Sequence, residues 1–246
     1  MKAKYLLLAF VLLYPSEVFS QVNIESMRAE PKQGLSGSAD FGWQLNSGNV
    51  ETLTYEMGAR AGLGIDKHFF FITGTCAYGE EEGEPFKDEG FAHARLTSMW
   101  LSFVGTEIFS QVEYNDFKLL RRRQLNGGGL RIIPFTSDRA GLSVGLGAMA
   151  DYERIEGGGG DGLVTRGTSY LNGYFTIAGA KLFAVGYFQP LLEDTSDYRI
   201  LSDAGVEFKI LKASLINSVN YSYDTRPPDG VVRDDFTSKV TFRIRF

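Results

Sequence analysis

Few residues in this chain have chemistry to offer. His68 and His93 are the only imidazoles, Cys76 is the only thiol, and Glu80-Glu81-Glu82-Gly83-Glu84 is a dense run of carboxylates. A single cysteine closes no intrachain disulfide and, without a CxxC neighbour, marks no redox or metal site, so it reads as a small apolar strand residue. Hard divalent cations need several convergent carboxylate oxygens. Consecutive Glu side chains diverge and no EF-hand spacing is present, so the acidic run reads as a solvated loop and no metal ligand is assigned. Gly157-Gly158-Gly159-Gly160-Asp161-Gly162 lacks the Lys-Ser/Thr of a phosphate loop and has no helix to follow it. It reads as a flexible external loop, and no cofactor is expected. A net charge of -5, a pI near 5.2 and scattered Lys and Arg argue against a nucleic-acid partner.

More informative are charges repeated with a period of two, opposite apolar side chains, which is the pattern of a β-strand with two unlike faces. In 35–46, Leu35, Ala39, Phe41, Trp43 and Leu45 oppose Ser36, Ser38, Asp40, Gln44 and Asn46. After Ser47-Gly48-Asn49, Leu53, Tyr55, Met57, Ala59 and Leu63 oppose Thr52, Thr54, Glu56 and Arg60. The same alternation puts Arg95, Asp151, Arg199, Asp203, Glu207, Lys209, Lys239, Arg243 and Arg245 on the polar faces of later segments. Less regular segments near 68–79, 91–101, 104–115, 120–133, 167–178 and 181–189 bring the expected strand count to twelve. Residues 68–78 carry apolar side chains on both faces, and 120–133 and 181–189 do not declare their faces. All seven prolines fall outside the expected strands, as residues that cannot donate to a ladder should.

The connections then decide the architecture. Those after the even strands are short, whereas 80–90, 154–166, 190–198 and 224–235 are long and polar. Short turns at one end and long loops at the other are the mark of an outer-membrane barrel, whose apolar face points outward. About 9 to 11 residues per spanning strand fit the length available. The expected fold is therefore all-β: an antiparallel up-and-down transmembrane β-barrel over 34–246, after a periplasmic N-terminal segment at 21–33. Residues 1–20 read as a cleaved signal peptide, with Lys2 and Lys4, an apolar run from Tyr5 to Tyr14, and Val18-Phe19-Ser20 before the cut. Trp43, Tyr114, Tyr152, Tyr221 and Tyr223 fall near the outer rim, and Trp100, Phe208 and Phe246 near the inner one. In such a barrel a lipid hydrolase needs its His and Ser on the lipid face near the outer rim. His93 is on the polar face and His68 beside a periplasmic turn, so an enzyme is not expected and no catalytic residue is assigned.

The ending Thr241-Phe242-Arg243-Ile244-Arg245-Phe246 resembles the terminal aromatic signal of bacterial outer-membrane proteins, which implies recognition of Phe246 by the barrel-assembly machinery. The mature chain also resembles a family catalogued as a domain of unknown function, number 481, loosely called salt-induced or acid-inducible outer-membrane proteins. The resemblance rests on the order of Ser47-Gly48-Asn49, Asp116-Phe117 before Gly127-Gly128-Gly129, Phe188-Gln189-Pro190 and Asp197-Tyr198-Arg199. It implies the outer membrane of a Gram-negative bacterium and a link to envelope stress, and it carries no activity.

The lumen is then expected to be lined by Asp40, Glu56, Arg60, Arg95, Asp151, Arg199, Asp203, Glu207, Lys209, Lys239, Arg243 and Arg245. Hydrated, these charges make a narrow passive pore for ions or small polar solutes. Paired across the lumen, they plug it and leave a closed barrel whose external loops bind lipopolysaccharide or partners. Inward glycines, Gly42, Gly58, Gly62, Gly145, Gly147 and Gly205, favour the pore by leaving space. A monomer in contact with outer-membrane lipid and lipopolysaccharide is expected.

Overall fold

The computed structural model of the chain describes residue 25 and residues 33–46, 52–81, 83–116, 119–157, 162–228 and 231–246. The expected signal peptide lies outside the described residues. Twelve strands follow in order: β1 (Gly34–Asn46), β2 (Thr52–Ile65), β3 (His68–Glu81), β4 (Glu84–Met99), β5 (Val104–Asn115), β6 (Leu120–Thr136), β7 (Ala140–Ile155), β8 (Gly162–Ile177), β9 (Ala180–Pro190), β10 (Tyr198–Ile210), β11 (Ala213–Asp224) and β12 (Asp234–Arg245). Each pairs antiparallel with its sequence neighbours, and β12 returns to β1, so the sheet is a closed barrel. Closure matters because a free edge would leave a row of backbone donors and acceptors unpaired. Asp40↔Arg243 and Phe41↔Phe242 set the register of the seam. The N–H and C=O of Phe246 complete it against Gly37, at 3.1 Å each.

The side chains alternate as the period of two requires. Phe41, Met57, Phe70, Ile72, Ile108, Leu146, Leu171, Leu215, Val240 and Phe242 are exposed on the outside. Trp43 and Phe246 are the most exposed of the described aromatics, at 71% and 79%, so the barrel is apolar outward at its rims as well as around its waist.

Three expectations about connections need correction. Residues 80–90 are not a loop: β3 and β4 continue to a tight turn in which Gly83 has φ 86°, the left-handed region that glycine enters without cost. Tyr78 and Glu80 (2.8 Å) and Lys87 and Glu89 (3.6 Å) pair on the extended strands, so the acidic residues are held in a hairpin. β8 likewise begins at Gly162, which takes Arg166 out of the expected loop and into the wall. Pro85, Pro134 and Pro190 lie within strands, at places where the ladder is already irregular or ending. Register shifts fall at Gly79/Glu80 opposite Pro85 and at Ile132/Phe135 around Pro134, and Pro190 ends β9. The longest remaining connections, at 191–197 and 225–233, are at the end opposite the start of β1 and the end of β12.

Candidate functional site: the barrel interior

The inward faces carry two kinds of wall. On β4 to β8, buried charges form two layers. Nearer the long-loop end, Asp151 on β7 is fully shielded and accepts hydrogen bonds from Arg123 on β6 (3.0 and 2.8 Å) and Arg199 on β10 (3.1 Å). The Arg166 Nε lies 3.3 Å from the same carboxylate. These guanidiniums are held in turn by Glu113, Glu153, Asp197 and Asp224, which ties β5 to β8, the 191–197 connection, β10 and β11 into one ionic cluster. Buried charges are tolerated when each has such partners.

Nearer the short-turn end, Arg95 donates to Glu107 (3.2 Å) and Arg131 donates to the hydroxyl of Tyr170 (2.6 Å), which donates to Glu107 (2.8 Å). Glu25, from ahead of β1, enters this cluster. Its carboxylate oxygens accept from Arg95 and Arg131 at 2.8 Å each, and its side chain has no exposure. Between the two layers the interior packs like a soluble core. The His93 ring stacks near Phe91 and Phe109 (6.3 and 5.7 Å between centroids), and Leu125, Met149, Tyr187 and Leu201 are buried. The cavity left there, bordered by His93, Phe109, Leu125 and Tyr187, measures about 40 Å³, room for about three waters at 10–15 Å³ each.

The wall formed by β12, β1 and β2 is different. Asp40 on β1 pairs with Arg243 (2.8 Å) and Arg60, and Arg245 pairs with Glu207 and Ser214. Glu56 on β2 accepts from Lys239 on β12 at 2.8 Å, and both side chains keep 33% of their surface accessible although they point into the barrel. Next to them, Ser214, Ser218 and Ser222 on β11 present small polar groups to the interior.

Of the twelve charges read as lumen-lining, Asp40, Arg60, Arg243, Glu207, Arg245, Glu56 and Lys239 therefore meet on one side. Asp151, Arg199 and Arg95 belong to the buried layers. Asp203 is buried on β10, and Lys209 is exposed at the short-turn end of that strand. Lys87 on β4, Glu107 and Glu113 on β5, Arg123 and Arg131 on β6 and Arg166 on β8 are further inward charges outside that set. They share the period of two with Arg95 on β4 and continue it on β5, β6 and β8, across the side-chain-free Gly127-Gly128-Gly129 of β6.

Three of the six glycines expected to leave space are used otherwise, whereas a Cβ on Gly42 would meet nothing nearer than the Val240 carbonyl at 3.9 Å. A Cβ on Gly145 would enter the ring of Tyr170, one on Gly205 would meet the ring of Phe183 at 2.7 Å, and one on Gly147 would strike the Gly128 carbonyl. Gly145, Gly147 and Gly205 give room to aromatic rings and to a close backbone approach, so they do not widen a lumen.

His68 Nδ1 lies 2.9 Å from Ser98 Oγ, an outward pair at the short-turn end. Among the described residues, no group of His, Cys, Asp and Glu is arranged to hold a metal, and no helix is long and apolar enough to cross a membrane.

Fold and interior together define the class: a closed up-and-down antiparallel barrel with an apolar exterior and a charged interior. Residues 39–246 match the family described as "Protein of unknown function, DUF481", and the chain belongs to it. No curated protein matches the sequence. Among solved structures, the chain is similar to the KdgM porin (10% identity, 86% of this chain and 96% of that one, TM-score 0.45). It is also similar to the NanC porin (8% identity, 86% and 98%, TM-score 0.47) and to the translocator domain of the autotransporter NalP from Neisseria meningitidis (12% identity, 91% and 92%, TM-score 0.43).

Proposed function

We propose that the protein spans the bacterial outer membrane and passes ions or small polar solutes along the β12–β1–β2 wall. The outward apolar band supports the location, since lipid solvates such a surface and a closed ladder leaves no backbone group for it to desolvate. The start of β1, the end of β12 and the short turns then face the periplasm. The observation that carries the transport reading is the Lys239–Glu56 pair, which points into the barrel and yet keeps a third of each side chain accessible. Water reaches these charges, and rings of hydrated charge set ion preference in a pore.

Conductance of the purified, refolded protein in a planar bilayer tests this reading. Discrete steps with a measurable reversal potential in a salt gradient are expected. A second reading, a closed barrel acting through its loops, is favoured by the 40 Å³ left between the buried layers. A silent bilayer with the barrel shown folded by its gel shift on boiling would select that reading.

A further inference from the structure

We infer that Arg95 and Arg131 form a carboxylate-binding site inside the barrel, and that Glu25 is its resident occupant. The fork is built by the wall. Arg95 is fixed by Glu107 (3.2 Å) and lies over the Phe109 ring, 5.3 Å from its centroid. Arg131 is fixed by the hydroxyls of Tyr170 (2.6 Å) and Ser143 (2.9 Å), with its guanidinium 5.6 Å from the Tyr170 ring centroid. Each guanidinium presents Nη1 to a different oxygen of one carboxylate, and Asn172 adds an amide donor at 3.3 Å.

Glu25 lies 70 and 106 residues from the two arginines and belongs to no strand of the barrel. It therefore reaches the site as a tethered ligand does. Charge-assisted hydrogen bonds from two guanidiniums to both oxygens select a carboxylate over a neutral amide of the same shape. A site that holds a carboxylate supplied by its own chain accepts one supplied from solution once the tether is cut back. The ligand class is a small carboxylate whose donors and acceptors can also meet Tyr170, Ser143 and Asn172.

Chemical rescue tests this without any need for conduction. Glu25→Ala removes the atoms of an acetate ion beyond Cβ and leaves the sheet ladders untouched, because β1 begins at Gly34. The thermal midpoint of the gel shift is measured on the refolded full chain with acetate, acetamide or chloride at equal ionic strength. Acetate should raise the E25A midpoint saturably, acetamide and chloride should not, and wild type should not respond. In Glu25→Ala/Arg131→Met the acetate response should disappear. An acetate effect no larger than that of chloride, or one that persists in the double variant, would overturn the assignment. A silent bilayer would count against the transport reading alone and leave this site standing.

Discussion

Asp151 and Lys239 both carry charge into the same barrel, yet Asp151 is fully shielded while Lys239 keeps 33% of its side chain accessible. Around Asp151, guanidiniums from β6, β8 and β10 converge on one carboxylate, and the space beside them is filled by Leu125 and Met149. Among the described residues, Lys239 is within ion-pair distance of Glu56, with serines beyond it. The interior around Asp151 is thus a packed core that happens to be ionic, whereas the Lys239–Glu56 pair keeps accessible surface beside the more buried Asp40, Arg60 and Arg243. Inward polarity alone therefore does not make a pore: what separates the Lys239–Glu56 pair from the Asp151 cluster is the accessible surface of its charges.

Substitutions on the two sides should therefore differ in kind. The largest effect is expected from Asp151→Ala, which leaves Arg123, Arg166 and Arg199 crowded in the interior without their shared acceptor. Removing one partner of a buried ionic cluster costs about 3–5 kcal/mol, to be read as an earlier urea midpoint of unfolding. Gly145→Ala should follow. Its Cβ meets the Tyr170 ring, which is held by hydrogen bonds to Arg131 and Glu107 and so cannot step aside freely. Overpacking of this kind costs about 1–3 kcal/mol, and Tyr170→Ala in the same chain should remove the penalty.

On the wetted side, Lys239→Met should change stability by no more than about 1 kcal/mol, the range for a solvated ion pair, while altering ion preference. A cost like that of Asp151→Ala would erase the distinction between the halves. The smallest effect concerns the long-loop end, where Asp194 accepts from the hydroxyl and N–H of Ser196 (2.6 and 3.1 Å) and from Arg226 (2.7 Å). The Ser196 hydroxyl bond, then Arg226, hold its carboxyl below the ordinary value of 3.8. A depressed carboxyl pKa contributes stability that is complete above the unfolded value and is lost as pH falls through the folded one. The clamp between residues 191–197 and 225–233 should hold from neutral pH down to the ordinary Asp range and loosen only below it. Protease susceptibility of these loops, followed against pH with an acid-stable protease, checks this, and Asp194→Asn should open them at neutral pH.

The same division explains what the amino-acid sequence disclosed. Strands β1, β2, β10 and β12 could be read because their inward faces are polar, so that Asp40, Glu56, Arg60, Arg199, Glu207, Lys239 and Arg243 stand out against apolar neighbours. In β3, Phe69 and Phe71 face inward at 8% and 3% exposure while Phe70 and Ile72 face outward, so both faces are apolar and the period vanishes. In β6 the run Gly127-Gly128-Gly129 has no side chains to alternate. The code weakens where the inward side chains are themselves apolar or missing, because such an interior uses the same residues as a lipid-facing surface, whereas Asp151 on β7 stays legible within the packed half. The place of Glu25 had no local signal at all: it follows from long-range pairing with Arg95 and Arg131.

The most direct test of the wetted wall is the reversal potential of single channels in a salt gradient, measured for wild type and for Lys239→Glu. A passage along β12, β1 and β2 predicts discrete conductance in both and a shift of the reversal potential toward cation preference when Lys239 becomes acidic. An unchanged reversal potential with conductance intact would place the passage elsewhere and contradict the account.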